Sequence, residues 1–360
     1  MTHILLAVTG GTIGSHTDNG ITAVSSGAAS GLLERYRVCK GARNVRFDSI
    51  TPFSMLSENL LPTDWLALRQ AIIEAGGLER DGIIVTHGTD TLPFTAAALS
   101  YLFHDVSIPI VLVASNSPLH EPRSAGLANF RHAVDFVADS QLPGVYVSFA
   151  DAAGRACIHL GTRLHESAPF TDEFVSAYGV PLGVMDKRKF RPFRAAANPT
   201  FAELRLPRIR HVRIAEQPGF SDAIRFVKPY PGLDYRSVSL DGPHKPHAVL
   251  HQLYHSATAC MRAGVGSARY ALLELLERCR AADIPLFVCP VKSDADSAYE
   301  TNAQLLEAGA VPLRGITTEA ALVKLMLAYG TYSASHDIVR WLTTTPLFFD
   351  TMQPRKEERP

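Results

Sequence analysis

Two short segments of this sequence carry more hydroxyl and ionisable side chains than packing or turn formation requires. Residues 9–15 read Thr-Gly-Gly-Thr-Ile-Gly-Ser, and residues 86–91 read Thr-His-Gly-Thr-Asp-Thr. Paired glycines allow close approach to a ligand, and an activated threonine hydroxyl can act as a nucleophile. A carboxylate such as Asp90 can hold an ammonium group. We therefore expect Thr12, Thr89 and Asp90 to line one pocket.

Each segment also has a plainer interpretation. Residues 9–15 could form an ordinary glycine-rich turn, and Thr or Asp in residues 86–91 could cap the following helix. A cap accounts for only one residue of the second segment. The pattern GxGxxG for dinucleotides is not matched, because Thr12 stands at the position of its second glycine.

Short apolar runs alternate with helical patterns, as expected for an α/β protein with a mainly parallel sheet. Helices are expected from Thr63 as N-cap to Gly76-Gly77, over 124–138, over 268–281 and near 299–308 and 318–327. The predicted strands are rich in β-branched residues and bounded by turn-formers; they are 4–8, 83–86, 108–114, 145–149, 249–254 and 284–289. Both segments follow such strands, at the edge where parallel sheets bind ligands.

The length of 360 residues favours two domains. We predict a larger N-terminal catalytic α/β domain over 1–190 with a parallel sheet, and a smaller C-terminal α/β domain over 223–345. The proline-rich segment 191–222 is expected to be a linker or edge hairpin, and 346–360 a tail.

The composition excludes several classes of protein. With 35 basic and 35 acidic residues, no charge excess points to nucleic acid, and no apolar run is long enough for a membrane span. The sequence begins without a charged, cleavable leader, so we expect a cytoplasmic protein. Five scattered cysteines without a CxxC pair indicate free thiols rather than disulfides or a zinc site.

Together the two segments resemble the signature segments of the bacterial L-asparaginase family. The resemblance extends to Ser57-Glu58-Asn59, to residues 115–130, and to 309–325, which are closer to the cytoplasmic type I subgroup. It implies an asparaginase-like fold and no metal or organic cofactor. It also implies a homodimer or homotetramer in which a neighbouring C-terminal domain completes each site.

The resemblance also implies roles for individual residues. Thr12 would be the nucleophile and Thr89 its partner, while Ser57, Glu58 and Asp90 would bind the charged groups of an amino acid. The backbone amides of Gly11 and Thr89 would stabilise an oxyanion. The remaining substrate-binding positions are Gly88 within the second segment, the carbonyl of Ala114, and Ser256 in the C-terminal domain, where a plain turn is the alternative.

The chain departs from the family where protons are handled. The family's loop tyrosine is matched by Ile21, and its lysine falls on His165, or on Glu166 if one residue has been lost. A neutral imidazole could act as the base, and the alternative is that His165 is a surface loop residue. Ala125 replaces an acid of the subgroup. Asp294 and Asp296 could face a neighbouring site but are better explained as a solvated loop.

The sequence therefore predicts an amidohydrolase that releases ammonia from asparagine or a related small amino-acid amide through an acyl-threonine. A catalytically weakened relative that binds an amino acid, or acts on another amide, is the alternative. A third interpretation is the amidase subunit of a tRNA-dependent amidotransferase. It is disfavoured because that subunit carries an extra N-terminal domain, whereas here the first strand starts at residue 4.

Overall fold

The computed structural model describes the chain except residues 12, 14, 19–20, 25–27, 263, 292–298, 333–334 and 353–360, and for 15–18, 21–24, 28 and 335–336 it describes the backbone alone. The chain forms two compact units. The first is Met1–Glu216, and the second begins at Gln217.

The first unit is built on an eight-stranded sheet in the order β10-β9-β8-β7-β6-β5-β1-β4. Strands β4, β1, β5, β6 and β7 are parallel, and β8, β9 and β10 pair antiparallel. The strands are β1 His3–Val8, β4 Arg46–Ile50, β5 Gly82–Thr86, β6 Pro109–Val113, β7 Gly144–Ala150, β8 Ala156–Leu160, β9 Gly183–Asp186 and β10 Lys189–Pro192. A separate hairpin pairs β2 Ser15–Asp18 with β3 Ile21–Val24. The predicted α/β class is confirmed.

The core of this unit lies on the central strands. Strands β5 and β6 are buried at every position, because helices cover both faces of a parallel sheet and leave few polar positions. The helices are α1 Ala28–Val38, α2 Pro62–Glu74, α3 Leu92–Leu102, α4 Gly126–Ser140, α5 Phe201–Arg205 and α6 Val212–Glu216.

Two predicted helix starts in the first unit are wrong by one to two residues. Helix α2 begins at Pro62 rather than after a Thr63 cap, because proline suits the first helical position and the Asp64 carboxylate accepts the Leu61 N–H at 2.7 Å. Helix α4 begins at Gly126 rather than Ser124. The Ser124 hydroxyl instead donates to the Ser117 carbonyl at 2.8 Å and stabilises the preceding turn.

The proline-rich segment 191–222 has regular structure of its own. Strand β10 ends within it and pairs with β9 as an edge hairpin. Helix α5 follows, capped by the Thr200 hydroxyl, which accepts the Glu203 N–H at 3.2 Å. Helix α6 then completes the first unit. Prolines suit this stretch because its elements are short and at an edge.

The second unit is a four-stranded parallel sheet in the order β11-β12-β13-β14. Its elements are β11 Ile224–Val227, β12 Ala248–Gln252, α7 Leu272–Ala281, β13 Leu286–Val291, α8 Glu300–Glu307, β14 Val311–Arg314, α9 Thr318–Thr331 and α10 Ser335–Thr344. The predicted strand 249–254 ends at Gln252 instead, because Tyr254 forms a turn in which its N–H donates to the Thr258 carbonyl at 2.9 Å. Similarly, α7 starts at Leu272 after a short 3-10 turn over 268–270.

All five cysteines are free thiols, as predicted. Within the described residues, none of the helices has the length and apolar character needed to cross a bilayer. The same part of the chain holds no group of three or more His, Cys, Asp or Glu side chains arranged to bind a metal.

Candidate active site

Three neighbouring strands of the first sheet end at the same edge. Strand β5 lies between β1 and β6, and all three run parallel. The turns that follow them therefore emerge side by side. The buried hydroxyl of Thr9 joins two of these ends, because it donates to the Thr86 carbonyl at 2.6 Å.

The turn after β1 packs so closely on its neighbours that only glycine fits. Gly10 and Gly11 have φ of 103° and 73°, where side chains are strained. A Cβ on Gly10 would lie 2.7 Å from the Met55 nitrogen, and one on Gly11 would lie 2.6 Å from the Gly88 Cα. The turn after β1 and the turn after β5 are thus in backbone contact.

Ser57 joins the same cluster from the loop after β4. A Cβ on Gly88 would lie 2.7 Å from the Ser57 Cβ. The Ser57 hydroxyl donates to Asp90 at 3.4 Å, and the Thr91 hydroxyl donates to the Ser57 carbonyl at 2.9 Å. The structure therefore brings Gly11, Gly88, Ser57 and Asp90 together. Thr89, half-buried, lies next to Asp90 in the same turn.

The expectation that the Gly11 N–H stabilises an oxyanion is wrong. The N–H of Gly11 donates to the Met55 carbonyl at 3.1 Å, where it continues the parallel pairing of Gly10 with Met55. Its hydrogen-bonding capacity is therefore used inside the protein. The N–H of Thr89 has no acceptor among the described residues, so it stays available to a ligand.

The second segment contains a histidine whose role sequence reasoning missed. His87 is buried, and its Nδ1 lies 2.8 Å from the Gly88 carbonyl. Burial lowers the pKa of His87 to about 4, against smaller opposing effects of that hydrogen bond and of Asp90. The ring is therefore neutral near pH 7. Its position inside a polar turn, next to glycine, was the available signal.

The turn after β6 is held by a second residue that sequence reasoning left without a role. Asn129 is fully buried in α4, and its side-chain amide donates to the Ala114 carbonyl at 2.9 Å. The oxygen of the same side chain accepts the Ala150 N–H at 3.0 Å. Asn129 thus fixes the ends of β6 and β7. A carbonyl has two lone pairs, so Ala114 can still accept from a ligand.

This turn also meets the segment that carries Thr12. A Cβ on Gly126 would lie 3.1 Å from Cγ1 of Ile13, whose side chain is buried. Residue 12 itself lies outside the described residues, as do Asp294 and Asp296. The two residues on either side of position 12, Gly11 and Ile13, therefore both pack against turns at this edge of the sheet.

His165 and Glu166 lie on a loop that reaches the same edge. The loop is tied to the turn after β6, because the Asn116 side chain donates to the Asp172 carbonyl at 2.9 Å. The His165 N–H donates to the Val175 carbonyl at 3.0 Å, and its side chain is half-buried, whereas Glu166 is exposed. Glu58 is exposed too.

Ser256 belongs to the second unit. Its hydroxyl lies 3.1 Å from Nε2 of the exposed His255. The next residue, Ala257, has a φ of 57°, and its carbonyl accepts from the Asn302 side chain at 2.9 Å. The predicted role of Ser256 in substrate binding stays a prediction.

Comparison with known proteins decides the family. Residues 3–197 match the family model described as "Asparaginase, N-terminal". The L-asparaginase of Thermococcus kodakarensis is 30% identical over 336 residues, which is 91% of this chain and 92% of that protein. This chain belongs to the asparaginase family.

Other relatives of this asparaginase-family chain are components of a different enzyme. A glutamyl-tRNA(Gln) amidotransferase subunit from Methanosarcina mazei is 30% identical over 332 residues, covering 89% of this chain and 72% of that protein. In structure, a thermostable L-asparaginase from Thermococcus kodakarensis superposes with a TM-score of 0.74 at 25% identity. That superposition covers 97% of this chain and 99% of the other. The asparaginase-like fold is thereby confirmed.

The arrangement in this asparaginase-family chain can support acyl transfer. It combines a carboxylate at Asp90, a hydroxyl at Ser57 and the backbone N–H of Thr89, which has no acceptor within the part of the chain that the structure describes. These are the groups needed to hold an amino acid and to stabilise a developing oxyanion.

Proposed function

We propose that this protein is an amidohydrolase that converts L-asparagine, or a closely related small amino-acid amide, to the acid and ammonia. The observation that carries the proposal is the backbone contact between the glycine turns after β1 and β5, with Ser57 and Asp90 beside them. This contact brings Gly11 of the first segment against Gly88 of the second.

In the proposed reaction the Thr12 hydroxyl attacks the amide carbon. The hydroxyl proton passes to a base, which donates it to the amide nitrogen as the carbon–nitrogen bond breaks and ammonia leaves. Water then cleaves the acyl-threonine ester and restores Thr12. His165 is the candidate base, because the loop that carries it reaches this edge.

Substrate binding is assigned to the groups around the turn after β5. Asp90 would hold the ammonium group, and Ser57 with Glu58 would bind near the α-carboxylate. The Thr89 N–H would stabilise the oxyanion, and the Ala114 carbonyl would accept from the scissile amide. Gly88 would leave room for the ligand, since a side chain there would overlap Ser57.

We also propose a cytoplasmic homo-oligomer in which Ser256 contributes to substrate binding. The support is the similarity of residues 309–325 to the cytoplasmic subgroup and the exposed turn that carries His255 and Ser256. The strained φ of Ala257 in this turn is of the kind that clusters at functional sites.

The test is ammonia release from asparagine, glutamine and aspartic β-hydroxamate by the wild type and by Thr12→Ala. We expect turnover by the wild type and a loss of at least about 10³-fold in Thr12→Ala, since the nucleophile is removed. Persistent activity in the variant would exclude Thr12. If the wild type released no ammonia from any of the three amides, the proposed reaction would be excluded. In that case, calorimetric binding of asparagine and aspartate with equal affinity would support an amino-acid-binding relative.

Membership of a tRNA-dependent amidotransferase is the second candidate, supported by the similarity to the Methanosarcina mazei protein. It predicts a preference for glutamine over asparagine. A kcat/KM for glutamine at least tenfold above that for asparagine, rising on addition of a charged tRNA and a partner protein, would favour it.

A further inference from the structure

The side chain of His87 is buried directly behind the turn that carries Thr89 and Asp90. The backbone N–H of His87 donates to the Val113 carbonyl at 2.8 Å, so the main chain at His87 is held at the end of β6. Its ring does not reach solvent, because the residue is 1% exposed. It therefore cannot touch a substrate, yet it is bonded to the turn that would.

The hydrogen bond of the ring fixes its tautomer. A carbonyl oxygen only accepts, so Nδ1 must carry the proton that it donates to the Gly88 carbonyl at 2.8 Å. Nε2 is then a bare acceptor. It is buried, and none of the described residues donates to it.

That arrangement is costly if the ring only fills space. A buried acceptor without a donor destabilises the folded state. An apolar side chain of similar size would avoid this cost. The bond from Nδ1 to Gly88 is thus the feature of the ring that needs an explanation.

The bond has a geometric consequence one atom further on. A trans peptide is planar, and its C=O and N–H point in opposite directions. The Gly88 carbonyl points inward to His87, so the N–H of the same peptide, which belongs to Thr89, points away from the buried ring. That N–H has no acceptor among the described residues.

We propose that His87 is a positioning residue that locks the Gly88–Thr89 peptide plane and so aims the Thr89 N–H at the oxyanion of the reaction. This inference rests on the proposed amidohydrolase function. Glycine at position 88 makes the lock necessary, because its backbone would otherwise be the freest in the turn.

The experiment compares His87→Leu with His87→Asn in steady-state ammonia release. Asparagine places an amide nitrogen where Nδ1 stands and can still donate to Gly88, whereas leucine cannot donate. For His87→Leu we expect kcat to fall about 100-fold, within the range for losing one oxyanion donor. KM should change less than about threefold because the ammonium and carboxylate contacts remain. The His87→Asn variant should keep kcat within about tenfold of the wild type.

Thermal unfolding and ring nitrogen NMR shifts separate positioning from simple packing. We expect His87→Leu to unfold at the wild-type temperature or above, and the wild-type ring to be protonated at Nδ1. Unchanged kcat in an active, folded His87→Leu would overturn the positioning role alone, as would a ring protonated at Nε2. If His87→Leu fails to fold, a kcat of His87→Asn more than about 100-fold below the wild type would overturn it. A wild type that releases no ammonia would overturn the proposed function itself.

Discussion

The turns after β1 and β5 in the first sheet differ from the turn after β12 in the second sheet. In the first unit, glycines bring the turns after β1 and β5 into backbone contact, and Ser57 closes on Gly88. In the second unit, the turn after β12 leaves His255 exposed, and the Ser256 hydroxyl has that histidine as its hydrogen-bond partner among the described residues. Both edges have polar residues after a strand. Of these three turns, those after β1 and β5 have the close backbone approach that holds side chains in fixed positions.

The difference supports the proposal that the reaction takes place at the edge of the first sheet. A polar residue on an open turn can assist binding, but catalysis needs groups held to within a fraction of an ångström. Buried hydrogen bonds supply that precision at the first edge: Thr9 to the Thr86 carbonyl, His87 to Gly88, and Asn129 to Ala114.

A side chain placed at the contact between the turns after β1 and β5 should have the largest effect on activity. For Gly88→Ala we expect kcat/KM to fall about 100-fold or more, because the new methyl overlaps Ser57 and displaces the turn. Gly31→Ala is the matched control, since a Cβ there meets nothing within 4 Å. It should retain full activity. Steady-state ammonia release measures both.

Steady-state ammonia release also tests the turn after β12 in the second unit. Ser256→Ala should raise KM no more than about fivefold and leave kcat unchanged, since a single binding hydrogen bond is lost. A larger loss in Ser256→Ala than in Gly88→Ala would reverse the ranking of the two edges.

A smaller effect concerns stability at acid pH. Burial lowers the pKa of four histidines to about 4: His87, His132, His159 and His251. The folded pKa lies below the unfolded value of about 6.5, so between these values the unfolded chain binds more protons and stability falls as the pH falls. Each fully buried histidine would contribute on the order of 2 kcal/mol between pH 6.5 and 5.

Thermal unfolding followed from pH 7.5 to 5 tests this in each unit. The unfolding temperature should fall below pH 6.5. Replacement of His251 by Gln should make the fall shallower, whereas replacement of the exposed His255 by Gln should not. A midpoint independent of pH over this range would contradict the assignment of these rings as neutral.

Much of the fold could be predicted because β-branched runs and flanking glycines report directly on buried parallel strands. Strand β5 was expected over 83–86 and spans Gly82–Thr86. The predictions were wrong at the ends of elements, where the hydrogen bond of a single side chain decides which residue begins a helix. The Asp64 carboxylate and the Ser124 hydroxyl each have local partners that periodicity does not reveal.

The site was predictable as a set of segments but not as a set of hydrogen bonds. The order of Gly11, Thr89 and Asp90 along strand ends implied that they meet at one edge. The bond from His87 to Gly88 joins adjacent residues, but it depends on the burial of the ring in the folded chain. The loss of the Gly11 N–H to Met55 depends on which loop follows β4 and how closely it packs. A single sequence contains no signal for such long-range packing between loops.

A crystal structure of the wild type with bound L-aspartate would test the central claim most directly. We expect its side-chain carboxylate within about 3 Å of the Thr89 nitrogen, and its ammonium group at Asp90 beside Ser57. Aspartate bound at another place, or this edge left empty at saturating aspartate, would contradict the account.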